Sequence, residues 1–251
     1  MDIFSSFWHG SKLPLHVQLC LTSFVARGHR FRLYAYEKLE VPVGVDVMDA
    51  AEILPQSAIF FYKNADGSKG SVACFANLFR YMLLAQEGGW WVDADVLRLD
   101  GPIPDEALCF GRERDGVIGN AILRSPPRHP LFEKAVSEAK AAGEDLEWGQ
   151  TGPHLVTRLV SEMGYERFAK PFGEIYPINW TDHVLPTTAQ GYAKTSQAVA
   201  GQPFLHLWNE GFRRQNSEAL SYPEVGSYLA AQFGLHGFKS PDHRSDDASR
   251  N

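Results

Sequence analysis

The chain contains no apolar run near the ~20 residues that a membrane-spanning helix needs. Its first residues, Met1-Asp2-Ile3-Phe4, lack the basic stretch and apolar core of a secretion signal. A cytoplasmic protein is the expectation, with peripheral attachment to the inner face of a membrane left open. Cations are scarce: 24 Lys and Arg stand against 30 Asp and Glu, a net charge of -6. Without a basic excess the chain is a poor partner for nucleic acid, and an anionic ligand would need a local cation or a few placed basic groups. Cysteine is also sparse. Cys20, Cys74 and Cys109 are odd in number, lie in apolar contexts and have no metal-ligand spacing, so they read as buried reduced thiols. Repeats and separating linkers are missing as well. The 251 residues therefore read as one domain over 1–238, followed by a polar, mobile tail at 239–251.

The segments that are present alternate in period. Phe4 to Trp8, Arg30 to Tyr36 and Val45 to Met48 carry strand-forming residues, as do Ala58 to Tyr62, Ala107 to Gly111, Val117 to Leu123 and Phe204 to Trp208. Helical spacing is clearest at Ser71 to Glu87, where Val72, Phe75, Phe79, Met82 and Leu83 make one apolar stripe. Pro14 to Ala26 and His129 to Ala142 read as further helices, and another runs from Pro153, a residue suited to a first helical position, to Met163. Asn64 to Gly70 is a loop by composition. Strands alternating with helices predict an α/β/α sandwich around a mostly parallel mixed sheet. In such folds ligands gather at the carboxyl ends of the strands.

One stretch carries chemistry. Gly88-Gly89 ends the Ser71–Glu87 helix, and Trp90 to Leu99 reads as a strand bearing Asp93 and Asp95. Residues at i and i+2 of a strand share a side of the sheet, so the two carboxylates would point the same way. Buried carboxylates are costly without a cation between or beside them. Mg2+ and Mn2+ prefer such oxygen ligands and leave coordination places for substrate phosphates. On the preceding helix Asn77 and Arg80 share a face, and a guanidinium there can grip a phosphate or a carboxylate. A purely structural Arg80–Asp ion pair is the competing reading.

Asn77-Leu78-Phe79-Arg80, Leu83-Leu84 and Gly88-Gly89-Trp90-Trp91-Val92-Asp93-Ala94-Asp95 together resemble the core of the "sugar-binding region containing DXD motif" glycosyltransferases. That group is similar to glycosyltransferase family 32, capsule and lipopolysaccharide sugar transferases, α-1,4-galactosyltransferases and the catalytic domains of clostridial glucosylating toxins. The match covers about 25 residues around Asp93, with weaker echoes at Phe7-Trp8-His9-Gly10, Asn120-Ala121-Ile122, Thr151-Gly152-Pro153 and Phe204 to Trp208. It implies a GT-A-like, Rossmann-like fold, a nucleotide-diphosphate sugar donor and Mn2+ or Mg2+. UDP-sugars are favoured over GDP-sugars because they are common among relatives.

Carried over by position, Asp95 binds the metal, Asp93 holds the donor ribose or sugar and reaches the metal, and Arg80 contacts the sugar or diphosphate. Asn77 stands where some relatives have an acidic residue, so donor identity is not inherited. Trp8 offers a face for the nucleotide base or simply closes the first strand. His206 is a late metal ligand or a hydrogen-bonded structural histidine. Trp208, Asn209 and Glu210 could close over the donor, and Asn120 and the backbone of Gln150 to Gly152 could face the transferred sugar or the acceptor. Among Glu113, Asp115 and Glu210 the sequence ranks no nucleophile.

The function implied is a metal-dependent sugar transferase, retaining stereochemistry, acting on a saccharide acceptor in surface polysaccharide or lipooligosaccharide synthesis. The alternatives are an effector that glycosylates a protein, a non-catalytic sugar-nucleotide-binding protein, and a metal phosphohydrolase.

Overall fold

In the computed structural model, which describes residues 2–63, 70–143 and 146–238, alternating side chains place apolar groups on both faces of a central sheet. The expected loop at 64–69 and the tail at 239–251 lie outside the described residues. The strands of this sheet are β1 (Ile3–Phe7), β2 (Arg30–Ala35), β3 (Val45–Asp49), β4 (Gly89–Val92), β6 (Cys109–Arg112), β7 (Ile118–Ser125) and β8 (Ala169–Lys170). Their spatial order is β3-β2-β1-β4-β7-β6-β8. β7 alone runs against its neighbours, so the sheet is mixed and mostly parallel, as expected.

Helices cover both faces. On one side α2 (Ala73–Gln86), α3 (Pro130–Ala141) and α4 (Pro153–Glu162) pack on Phe7, Tyr34, Trp91, Phe110 and Leu123. On the other, α1 (Leu15–Val25) covers Phe4, Phe31, Leu33, Trp90 and Ile122. The adjacent side chains Trp90 and Trp91 thus fill opposite cores, which is why this short strand tolerates no polar residue before its end. A two-stranded sheet of β5 (Val96–Arg98) and β9 (Phe204–His206) pairs antiparallel beside α1. A third core joins it to α1, α5 (Tyr192–Val199), α6 (Asn209–Arg214) and α7 (Tyr228–Leu235).

Three expectations are corrected. The strand expected at Trp90 to Leu99 is two strands, β4 and β5, in different sheets, with Asp93 to Asp95 in the turn between them. That turn closes with the Val96 amide donating to the Asp93 carbonyl at 3.0 Å. Ala58 to Tyr62 forms no strand; Gln56–Ala58 is a 3-10 turn, and Tyr62 pairs with the backbone of Gly70 and Ser71. Phe204 to Trp208 stops as a strand at His206, because Trp208 takes the left-handed conformation (φ 55°) that starts α6. The Gly88-Gly89 stop holds: both have positive φ, and a Cβ at Gly88 would lie 2.5 Å from the Pro127 nitrogen.

Among the described residues no helix is long and apolar enough to cross a membrane.

Candidate functional site

β1 and β4 are parallel neighbours, and from β1 the chain crosses to β2 on one side and later returns to β4 on the other. That reversal opens a crevice beyond the carboxyl ends of β1 and β4. Trp8 follows β1 there and Asp93 follows β4. The antiparallel β7 brings its amino end to the same edge, with the Asp93 amide donating to the Ala121 carbonyl at 2.8 Å. Glu113, just after β6, stands on this edge too.

From α2, Arg80 reaches the edge almost wholly buried, its side chain 5 % exposed. Nη2 lies 3.0 Å from Asp93 Oδ1, and Nη1 donates to the Asn120 carbonyl. Trp91 Nε1 donates to the same Asp93 oxygen at 2.8 Å. Arg80 Nε is buried with no hydrogen-bond partner. Asn77, one turn earlier on α2, accepts from Asn120 Nδ2 at 2.9 Å. Gly152 closes against both amides: a Cβ there would lie 3.1 Å from Asn77 Nδ2 and 3.3 Å from Asn120 Nδ2. The Tyr81 hydroxyl fixes that approach by donating to the Thr151 carbonyl at 2.9 Å.

Asp95 is built from the other side. His206 Nε2 lies 3.3 Å from its Oδ2, and the Asn209 amide donates to the same oxygen at 2.8 Å. The main chain locks the pair together, the Leu207 amide donating to the Asp95 carbonyl at 3.0 Å. Asp93, Asp95 and His206 each offer a ligand atom, and these atoms all lie within 4.8 Å of one another. Asp93 Oδ2 and Asp95 Oδ1 have no hydrogen-bond or ion-pair partner among the described residues. His206 Nδ1 is buried and unpartnered.

The charges are tuned apart. Burial raises the Asp93 carboxyl, and neighbouring Asp95 adds to this while Arg80 opposes it. Burial pushes Asp95 the same way, but His206 and the Asn209 amide outweigh it and hold Asp95 at about 2. Burial would lower His206, yet Asp95, Asp93 and Glu113 together raise it above its ordinary value. Burial pushes Glu113 up to about 7, tempered by His206. A site with this much acidity around one imidazole suits a cation. Two carboxylates with a free oxygen each and one imidazole form a donor set that fits Mn2+, or Mg2+ with the carboxylates alone.

Other expected site residues fall around this cluster. Trp8 follows β1 partly buried, packed against the core under α1, its indole N–H donating to the Lys12 carbonyl at 3.0 Å. Trp208 packs on His206 with the rings tilted by 45° and their centroids 4.1 Å apart, and its indole N–H donates to the Ile178 carbonyl at 3.0 Å. Glu210 turns away into ion pairs with Arg213 and Arg214. Asp115 is exposed in the turn after β6.

Sequence reasoning missed His16, which lies buried on α1, its Nδ1 2.9 Å from Ser221 Oγ and its field reaching Asp95. It also missed Tyr176, whose ring packs on His206 and Trp208 and whose hydroxyl accepts from the Ile122 amide at 3.0 Å. Neither has a local motif. Only the contact of α1 with β5 brings His16 to Asp95, and only the seating of Tyr176 above Gly119 brings it to His206.

No family model matches the chain, and no curated protein matches it. Among solved structures it is similar to "PaToxG Glycosyltransferase" at 11% identity and TM-score 0.49, over 95% of this chain and 87% of that one. It is similar to the ligand-free glycosyltransferase domain from the YGT toxin at 8% identity and TM-score 0.45, over 68% and 79%. A third structure, of a transferase carrying two cysteine-to-serine substitutions, is similar at 10% identity and TM-score 0.42, over 67% and 90%.

Proposed function

We propose that this protein transfers a sugar from a nucleotide-diphosphate sugar, a UDP-sugar in the first instance, to a saccharide acceptor. The observation that carries the reading is the convergence of Asp93, Asp95 and His206 within 4.8 Å, with Arg80 alongside, beyond the crevice between β1 and β4. Asp95, Asp93 and His206 would hold a divalent cation. Such a cation supplies Lewis-acid neutralisation of the diphosphate that departs.

The remaining work belongs to the chain. Breaking the bond between the anomeric carbon and the diphosphate oxygen loads negative charge onto that oxygen. The Arg80 guanidinium, already anchored by Asp93 and the Asn120 carbonyl, is preorganised to meet it, with its buried Nε–H still unspent. Asn77, Asn120 and the side-chain-free Gly152 form the floor on which a sugar ring's hydroxyls would be oriented. Trp8 would take the base on its ring, and Trp208 would bound the site beside His206. Of the carboxyls that the sequence leaves equal, Glu113 is the one that lies within the field of His206 and has no ion pair among the described residues. It is therefore the group to receive a proton from, or steady charge at, the reacting centre.

The test is thermal shift with UDP- and GDP-sugars, with and without Mn2+, followed by donor hydrolysis without acceptor. A donor at about 100 times its Kd should raise Tm by about 5–10 °C only when Mn2+ is present. If no nucleotide sugar shifts Tm under any metal condition, the reading fails. Binding with no hydrolysis, and no transfer to any saccharide, would make the protein a sugar-nucleotide binder instead.

A further inference from the structure

Beside the carboxylate site lies a cleft of about 410 Å³, lined by Glu147, Trp148, Gln150, His154, Leu155 and Arg158. Trp148 is 46% exposed and is the large apolar side chain of this lining that reaches water. It is not loose. Its ring packs on Tyr62 at 4.9 Å between centroids, and the Arg214 guanidinium lies over it at 4.3 Å.

Both supports lead back to the site. Tyr62 reaches Gly149 and Thr151 and feels the charge of Arg80. Arg214 ends the helix α6 whose first residue, Asn209, holds Asp95. The turn from Gly149 to Gly152 forms the common wall. Its outer side meets the His154 ring, 3.2 Å from a Cβ at Gly149, and its inner side meets Asn77 and Asn120. A molecule in the cleft would thus be one turn of chain away from a sugar lying on those amides.

The lining says what that molecule is. Arg158 is matched by Glu138 and Glu162, and Arg214 by Glu210. Among the described residues, Arg158 and Arg214 at the cleft are thus already engaged by carboxylates. Trp148 is the one exposed aromatic in the lining and the neighbouring Leu155 is buried, so there is no apolar track for a hydrophobic peptide. What remains is the exposed part of the Trp148 indole, between Tyr62 and Arg214, ringed by a carboxylate, an amide and an imidazole. That combination complements a neutral ring with one C–H face and equatorial hydroxyls.

We propose that this cleft is the acceptor subsite and that it takes a neutral saccharide, packed against Trp148 and hydrogen-bonded by Gln150 and His154. The proposal rests on the sugar-transfer reading, and the experiment separates the two. Trp148→Ala and Trp148→Phe are compared with the wild type in four readouts: Tm, donor hydrolysis without acceptor, ligand-observed NMR of maltose, lactose, cellobiose and longer neutral oligosaccharides, and sugar transfer to whichever of these binds. In the wild type at least one oligosaccharide should bind. In Trp148→Ala its Kd and acceptor KM should rise about tenfold, with donor KM changed less than twofold; Trp148→Phe should recover much of the loss.

Equal oligosaccharide affinity in Trp148→Ala and wild type overturns the subsite, as does absence of any oligosaccharide binding to a wild type that hydrolyses donor. Transfer to a protein acceptor that ignores Trp148 also overturns it. Failure of the wild type to hydrolyse donor strikes instead at the sugar-transfer reading, and Trp148-dependent oligosaccharide binding would then stand as a carbohydrate site of another kind.

Discussion

Asp93 and Asp95 are two residues apart and are held by two different halves of the molecule. Asp93 hangs from the central sheet, fixed by Arg80 and Trp91 of the helix and strand that immediately precede it. Asp95 opens the small sheet and is fixed by His206 and the Asn209 amide, the latter 114 residues away in sequence. A guanidinium stays charged at every pH of interest, whereas an imidazole and a helix amide supply a partial and removable counter-charge. On the proposed reading the difference would divide labour: the Asp93 half would anchor the donor's anion, and the Asp95 half would be the adjustable end toward a cation.

The largest expected break in that comparison is Asp95→Ala. It removes the residue common to the imidazole, the α6 amide and the cation, while Arg80 and Asp93 stay paired. Metal-dependent donor hydrolysis should fall at least about 10³-fold, with far-UV circular dichroism near wild type and Tm lowered, because the buried imidazole and the Asn209 amide lose their shared acceptor. Hydrolysis at the wild-type rate would show that the chemistry sits on the Asp93 half alone.

Next comes Arg80→Leu. It leaves Asp93 without its counter-charge, and Asp93 keeps 26% of its side-chain surface in water. The stability loss should be about 2 kcal/mol, below the ~3–5 of a wholly buried pair. Chemical denaturation would measure it. Hydrolysis should fall about 100-fold, and Arg80→Lys should restore the stability better than the rate, because an ammonium replaces the charge but not the fork. Equal recovery of both would reduce Arg80 to a structural partner.

His206→Gln tests the adjustable half. If imidazole supplies a ligand, the apparent Mn2+ affinity should weaken about 10–100-fold, read from the metal dependence of hydrolysis, with less change at saturating metal. An unchanged Mn2+ dependence would leave His206 as a partner of Asp95 alone.

The same division decides what the sequence discloses. Asn77, Arg80, the glycine stop and Asp93 are local: a helix, a two-glycine turn and a four-residue strand place them, and periodicity reads that unit correctly. What periodicity cannot read is that the chain leaves the sheet at Asp93. Asp93 and Asp95 converge through a turn, not through the i, i+2 alternation of one strand, because Val96 to Arg98 pairs with Phe204 to His206. That pairing is long-range, and so is the rank of Glu113 over Glu210, which depends on Arg213 and Arg214 folding back in α6. α5, α6 and α7 escape a reading of the sequence for a related reason. They are at most eight residues long, with no full apolar stripe of their own, and their order comes from the shared core around Leu205, Phe212, Leu229 and Phe233.

His16 gives the smallest effect at neutral pH and probes the buried wall behind Asp95. Burial pushes its imidazole down to about 4, with Asp95 and Asn209 pulling weakly the other way. An unfolded histidine titrates near 6.5. Between those values the unfolded chain binds more protons than the folded one, so stability is whole above about 6.5 and drains as pH falls toward 4. At pH 5 the loss from this one group should be about 2 kcal/mol relative to pH 7. In His16→Gln that part of the slope should vanish, while the amide can still reach Ser221. Urea unfolding of both proteins at pH 5 and pH 7 measures the difference of differences. If the two slopes are parallel, His16 takes up its proton in the folded state, and the wall behind Asp95 is wetter than its burial implies.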